Sequence, residues 1–136
     1  MNELPDSLSY KAQTEIVIGA AYRVHNTLGA GFSEKVYENS LAIELKREGL
    51  QIEQQKNIAV FYQKQPVGNF VADIVINENI ICEIKAVDTL IKQHEMQLVN
   101  YLVATDLDVG LLINFGKSVV VKRKSRKNPV NPLQSC

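Results

Sequence analysis

Three charged side chains interrupt two otherwise apolar runs in the middle of the chain: Asp73 in Val71-Ala72-Asp73-Ile74-Val75-Ile76, then Glu83 and Lys85 in Ile80-Ile81-Cys82-Glu83-Ile84-Lys85. Both runs read as strands joined by Asn77-Glu78-Asn79. If that triplet is a three-residue hairpin loop, Ile76 faces Ile80 and counting back sets Asp73 opposite Glu83. Lys85 lies two residues beyond Glu83 and so points the same way. A loop of two or four residues would reverse the parity and put Asp73 on the face of Cys82 and Ile84. Two carboxylates held across a strand pair repel unless a proton or a cation intervenes, and oxygen-only ligands suit a hard cation such as Mg²⁺ or Mn²⁺. A lysine beside them can orient a water or offset charge building on a phosphate. The plainer alternative is a carboxylate–lysine ion pair on a solvent-facing strand.

Two helical segments carry further polar groups. Glu34, Tyr37, Glu38, Leu41 and Leu45 follow steps of three and four, so Glu34 begins the stripe that should face the sheet, where a carboxylate wants a partner. An acid at a helix N-terminus also interacts favourably with the macrodipole and needs no function for that. His94, Gln97 and Tyr101 share another helix face, and Gln97 and Tyr101 can hydrogen-bond to a substrate backbone or to the carboxylates. Alternatively that ridge is exposed, with Leu90, Leu98 and Leu102 packing instead.

The elements that must position these groups follow from periodicity and punctuation. Residues from about Ser9 to Leu28 read as a helix stopped by Gly29, and Ser33 can cap a second helix that runs to about Glu48 and is closed by Gly49. Strands follow at Ile58 to Tyr62, Phe70 to Ile76 and Ile80 to Lys85, with a turn at Gln65-Pro66-Val67-Gly68. A third helix fits Leu90 to Ala104, and strands at Val109 to Asn114 and Ser118 to Lys122 end the series. The order α-α-β-β-β-α-β-β is that of a mixed α/β (α+β) domain, a central mixed sheet flanked by helices.

Composition bounds what such a domain can be. At 136 residues, with 46% apolar and 22% charged residues, the chain is sized for one core and is neither disordered nor fibrous. No apolar run approaches a membrane span, and the acidic Met1 to Asp6 segment does not read as a secretory signal. Two cysteines, Cys82 and Cys136, build no disulfide framework, which fits a cytoplasmic protein. Lys122, Arg123, Lys124, Arg126 and Lys127 crowd the C-terminus. Without them ten Lys and Arg face fifteen Asp and Glu, a net −5, so bulk charge does not bring this body to nucleic acid, whereas a local basic patch could hold a phosphate backbone. The same run also reads as a solvated tail, which sets the expected domain at residues 1–121 and the tail at 122–136. Gly29-Ala30-Gly31 follows a helix and lacks the third glycine of a dinucleotide loop. His25 and His94 are too few and too far apart in sequence to make a zinc site.

Asp73, Glu83-Ile84-Lys85 and Gln97-Leu98-Val99-Asn100-Tyr101 together resemble the D…E-x-K…Q-x-x-x-Y series of the PD-(D/E)XK nuclease superfamily in its RecB-like branch. Gly31-Phe32-Ser33-Glu34-Lys35-Val36-Tyr37 resembles the motif that names the GxxExxY protein family of the same superfamily. The resemblance spans roughly Ile16 to Val121, and Ala72 stands where the superfamily's name has proline. It implies a restriction-endonuclease-like core. Asp73 and Glu83 would be metal ligands, Lys85 the residue that positions water or stabilises charge, and Glu34 a further carboxylate near the metal, with Gln97 and Tyr101 completing the site. His25 lies in the segment before the glycine motif and receives no role. The expected activity is metal-dependent hydrolysis of phosphodiester bonds in nucleic acid with Mg²⁺ or Mn²⁺. The alternative is a catalytically silent nucleic-acid-binding or protein-interaction module on the same fold. A homodimer or a partner protein is the expected source of specificity.

Overall fold

The structure, a computed structural model, describes residues 9–126. Its elements are α1 (Tyr10–Leu28), α2 (Glu34–Arg47), β1 (Ile52–Tyr62), β2 (Gln65–Ile76), β3 (Ile80–Lys85), α3 (Lys92–Thr105), β4 (Val109–Phe115) and β5 (Val119–Ser125), the order read from sequence. Gly29, Ser33 and Gly49 bound α1 and α2 as read, and Ser9 caps the start of α1. Ser9 Oγ accepts from Ala12 N at 3.0 Å, and Ser33 caps α2. At the other end of α2, Gly49 takes φ 87°, so Gly49 N bonds to Lys46 O and Leu50 N to Leu45 O. That double closure requires the left-handed conformation glycine adopts freely, and it tucks Leu50 into the core.

The five strands form one sheet in sequential order. β3 and β4 are parallel, with α3 crossing between them, and the other neighbours are antiparallel. Two apolar layers cover the sheet. Val17, Leu41 and Leu45 of α1 and α2 pack on Ile74, Ile84, Leu111 and Phe115. Leu98 and Leu102 of α3 pack on Phe70, Ala72, Ile81 and Leu112. Both faces of β3 and β4 are therefore buried, which explains their near-continuous apolar sequence.

Several boundaries differ from the sequence reading: β1 begins at Ile52 instead of Ile58, β2 at Gln65 instead of Phe70 and α3 at Lys92 instead of Leu90. The β1–β2 turn is Gln63-Lys64, both at positive φ, with Tyr62 opposite Gln65. Pro66-Val67-Gly68 carries stronger turn chemistry yet lies within β2. Val60 pairs with Gly68 and Phe61 with Pro66, leaving Val67 as a bulge, and a proline is tolerated in a strand at such an irregularity. At the other end, β5 runs to Ser125, so Lys122, Arg123 and Lys124 belong to the sheet instead of to a tail beginning at 122. Residues 127–136, with Lys127 and Cys136, lie outside the described residues.

Candidate active site

Asn77-Glu78-Asn79 is a three-residue connection: Ile76 pairs with Ile80, Val75 with Ile81 and Ile74 with Cys82. One step further along the ladder Asp73 stands opposite Glu83, as counted from sequence. Here the backbone pairing gives way to side chains. Asp73 N donates to Glu83 Oε2 at 3.2 Å and Ile84 N donates to Asp73 Oδ2 at 2.8 Å. Each carboxylate thus clasps the opposite strand and keeps its second oxygen off that strand's backbone.

The strands part here because β2 changes face at this residue. Phe70 and Ala72 belong to the layer under α3, whereas Ile74 and Ile76 belong to the layer under α1 and α2, so regular alternation is broken at Asp73. On β1 the matching residue is Gln55, between the pairs Gln54–Ile74 and Lys56–Ala72. Gln55 has φ 51°, a left-handed conformation unfavourable for a residue with a side chain. From it, Gln55 Nε2 donates to Asp73 Oδ1 at 3.2 Å and to Glu38 Oε1 at 2.9 Å.

Glu38 is the carboxylate that α2 delivers to the site. It is 3% exposed, and its other oxygen accepts from Gln54 Nε2 at 2.8 Å while Lys35 Nζ lies 3.3 Å from Oε1. Glu34, read as the start of the inward stripe, occupies the first, exposed turn of α2, and the stripe turns inward only at Tyr37 and Glu38. Tyr37 explains that start, since its hydroxyl donates to Gly29 O and its ring stacks on Phe115 at 4.5 Å, anchoring α2 one turn in. Glu38 was visible in the stripe as the polar member between Tyr37 and Leu41. Gln55 gave no signal in sequence.

The electrostatics follow from this packing. Burial pushes the Glu83 carboxyl from 4.5 up to about 8, with Asp73 and Glu38 adding repulsion, while the Asp73 amide and Lys85 pull the other way. The Asp73 carboxyl is raised too, first by burial and then by Glu38, against the Ile84 amide, Gln55 and Lys85. Lys85 is on the same face as Glu83, two positions on, where it is the cation that favours both ionised forms. On α3, Gln97 hydrogen-bonds Tyr101, whose hydroxyl is raised by burial and by Glu83 and Asp73, and whose ring stacks on Phe70 with centroids 3.6 Å apart. Gln97 itself is exposed.

The remaining singled-out residues do other work. His94 Nδ1 accepts from Ile91 N at 3.2 Å, capping α3. His25 Nε2 is 2.9 Å from Gly116 O and must donate, since a carbonyl only accepts. Cys82 is buried in the α1–α2 layer, where burial raises its thiol and keeps it unreactive. Of the basic run, Lys124 and Lys122 both reach Glu95, at 2.7 and 3.8 Å, and Arg126 pairs with Asp106 and Asp108. Arg123 is exposed.

Among the described residues no three His, Cys, Asp or Glu side chains converge as a complete metal cage. Glu38 has its oxygens committed to Gln54, Gln55 and Lys35. Asp73 and Glu83 do fit a hard cation: they offer oxygen only, they stand opposite one another, and each keeps one oxygen off the strand clasp, Asp73 Oδ1 accepting there only from the Gln55 amide. Mg²⁺ is commonly held by one or two carboxylates, with water and phosphate oxygens completing its shell.

In comparisons with known proteins, the crystal structure of SSO0001 superposes with a TM-score of 0.54 at 18% identity, covering 74% of this chain and 53% of that one. This chain therefore spans about half the length of that protein. The crystal structure of an alkaline exonuclease, LHK-Exo from Laribacter hongkongensis, aligns with a TM-score of 0.45 at 10% identity, covering 86% of this chain and 70% of that one. No curated protein matches. The sequence profile of the PD-(D/E)XK nuclease superfamily matches residues 11–127, which takes in every element from α1 to β5 and the Asp73, Glu83 and Lys85 constellation. By that match across nearly the whole chain, the protein belongs to the PD-(D/E)XK nuclease superfamily.

Proposed function

We propose that this chain is a metal-dependent nuclease that hydrolyses phosphodiester bonds of nucleic acid, with Asp73 and Glu83 holding Mg²⁺ or Mn²⁺. The observation that carries the reading is the Asp73–Glu83 clasp: two mutually repelling carboxylates fixed opposite one another at a break in the sheet, with Lys85 on the same face. A structural ion pair needs one carboxylate and no strained neighbour. When bound, the cation supplies charge to a phosphate oxygen and a lowered pKa to water. The protein contributes the rest. The Asp73 and Ile84 amides fix the carboxylate orientations, Gln55 holds Glu38 and Asp73 in register, and Lys85 can hold a water or stabilise the extra negative charge of the transition state. Tyr101 and Gln97 can donate to the substrate backbone from α3. Glu34 lies on the exposed first turn of α2, one turn before Glu38.

The test is cleavage of labelled single- and double-stranded DNA and RNA with Mg²⁺, Mn²⁺ or chelator. Wild type should cleave at least one substrate only with metal, and Lys85→Ala should lose about 10²-fold or more while keeping its circular dichroism spectrum. Metal-independent cleavage, or full activity in folded Lys85→Ala, would overturn the mechanism. A wild type that binds these substrates and cleaves none is the silent module instead.

A further inference from the structure

A crevice of about 340 Å³ opens between the β3–α3 loop and the β4–β5 turn, one strand from Lys85, and no step of the proposed hydrolysis uses it. Lys85 pairs with Asn114 on β4, and Asn114 pairs with Val120 on β5. All three lie on the α3 face, since their neighbours Ile84, Ile113, Val119 and Val121 turn to the opposite layer. They therefore form one row across the sheet, each strand about 4.8 Å from the next. Asn114 and Val120 line the crevice, so its near edge is one strand from Lys85. It also lies at the carboxyl ends of the parallel strands β3 and β4, where open α/β sheets take their ligands.

Both walls are fixed in advance. Asn114, 3% exposed, uses its whole amide on one residue of the β3–α3 loop, accepting from Val87 N and donating to Val87 O, each at 2.9 Å. The β4–β5 turn is held by His25 through Gly116 O. Gly116 must be glycine for the walls to meet this closely: a Cβ there would stand 2.9 Å from Val87 O. The chemistry of the lining selects among occupants. Val120, 40% exposed, is an apolar floor; the hydroxyls of Thr89 and Ser118 and the carboxylate of Asp88 are hydrogen-bonding walls; Lys117 is the cation. A bare phosphate would meet Asp88, whereas a nucleoside has a flat apolar face for Val120, hydroxyl and amide edges for the walls, and a flanking phosphate for Lys117.

We propose that this crevice is a nucleoside subsite that seats the nucleotide adjoining the scissile phosphate. The substrate's path relative to Lys85 rests on the hydrolytic reading above; the crevice's ability to take a nucleoside does not. The test uses the whole chain. The dinucleotide pTpT, titrated without metal into ¹⁵N-labelled protein, should shift the amides of Thr89, Gly116, Lys117 and Ser118, and Val120→Glu, at a half-exposed position, should abolish those shifts. On an oligonucleotide Val120→Glu should raise KM about tenfold or more with kcat retained. Absence of shifts at these four amides with pTpT at millimolar concentration, or an unchanged KM in folded Val120→Glu, overturns the subsite. If wild type cleaves nothing, the hydrolytic reading fails and the titration alone decides the crevice.

Discussion

At the residue scale, Glu83 should make the metal-free protein pH-sensitive. Its carboxyl sits near 8 in the folded state and near 4.5 in the unfolded chain. Between those values unfolding releases a proton, so stability is greatest below about pH 4.5 for this group and is lost as pH rises through about 8. The loss should be on the order of a few kcal/mol, read as a lower urea midpoint at pH 8.5 than at pH 5.5. Millimolar Mg²⁺ should flatten the slope, because the cation takes the ionised pair. An apo protein with a pH-independent midpoint over this window would mean that Glu83 titrates normally. Glu38→Gln should lower both the Asp73 and Glu83 titrations in ¹³C NMR, since Glu38 repels both; unmoved titrations would place it outside the site. Gln55→Gly separates positioning from structure. Glycine takes φ 51° without the cost Gln55 bears, on the order of 1 kcal/mol, so melting temperature should hold while cleavage falls. A melting loss with cleavage intact would make Gln55 a purely structural residue.

At the element scale, the site depends on how closely α3 lies on the sheet. Gly110 of β4 lets it settle: a Cβ there would stand 2.8 Å from Leu98 Cδ1 and 3.0 Å from Leu98 Cγ, and Leu98 is 1% exposed. Gly110→Ala should therefore cost about 1–3 kcal/mol in urea unfolding, with Leu98→Ala less harmful in that background than alone. Additive costs would show that the two do not share this contact. Because α3 also carries Gln97 and Tyr101, lifting it should weaken cleavage more than metal binding. The hairpin behaves differently. Its register was legible in sequence because Asn77-Glu78-Asn79 is short and the flanking isoleucines mark the buried face, whereas the face change at Asp73 was not, since the Val71 to Ile76 run is apolar on both sides.

At the scale of the whole molecule, charge is arranged more locally than the basic run suggests. Lys124 and Arg126 are held by Glu95, Asp106 and Asp108, and Lys122 is within 3.8 Å of Glu95, so the run is largely balanced within the domain. Arg123 and Lys122 are the exposed members. If the protein binds nucleic acid through this edge, Lys122→Ala/Arg123→Ala should reduce the slope of log K against log salt by up to about 2, and Lys124→Ala should change it less. An unchanged slope moves the phosphate contacts elsewhere, Lys117 being the first place to look. Deletion from Lys122 is not a clean probe, because it removes the β5 half that pairs Leu112 with Lys122 through Val109 with Ser125. No helix among the described residues is long and apolar enough to cross a membrane.

The sequence by itself determined the element order, the helix ends at Gly29, Ser33 and Gly49, and the opposition of Asp73 and Glu83. Each of these is set by neighbours a few residues apart: a serine or glycine at a helix end, a three-residue loop, the alternation of a strand. Only the tertiary structure decided that Glu38 instead of Glu34 is buried next to the carboxylates, that Gln55 bridges it to Asp73, and that Lys122 to Ser125 close the sheet. Those outcomes depend on where α2 is pinned by Tyr37 against Phe115 and on which strand edge β4 leaves open. Such contacts join residues far apart in the chain, and a periodic stripe offers two carboxylates one turn apart without saying which turn the packing will bury.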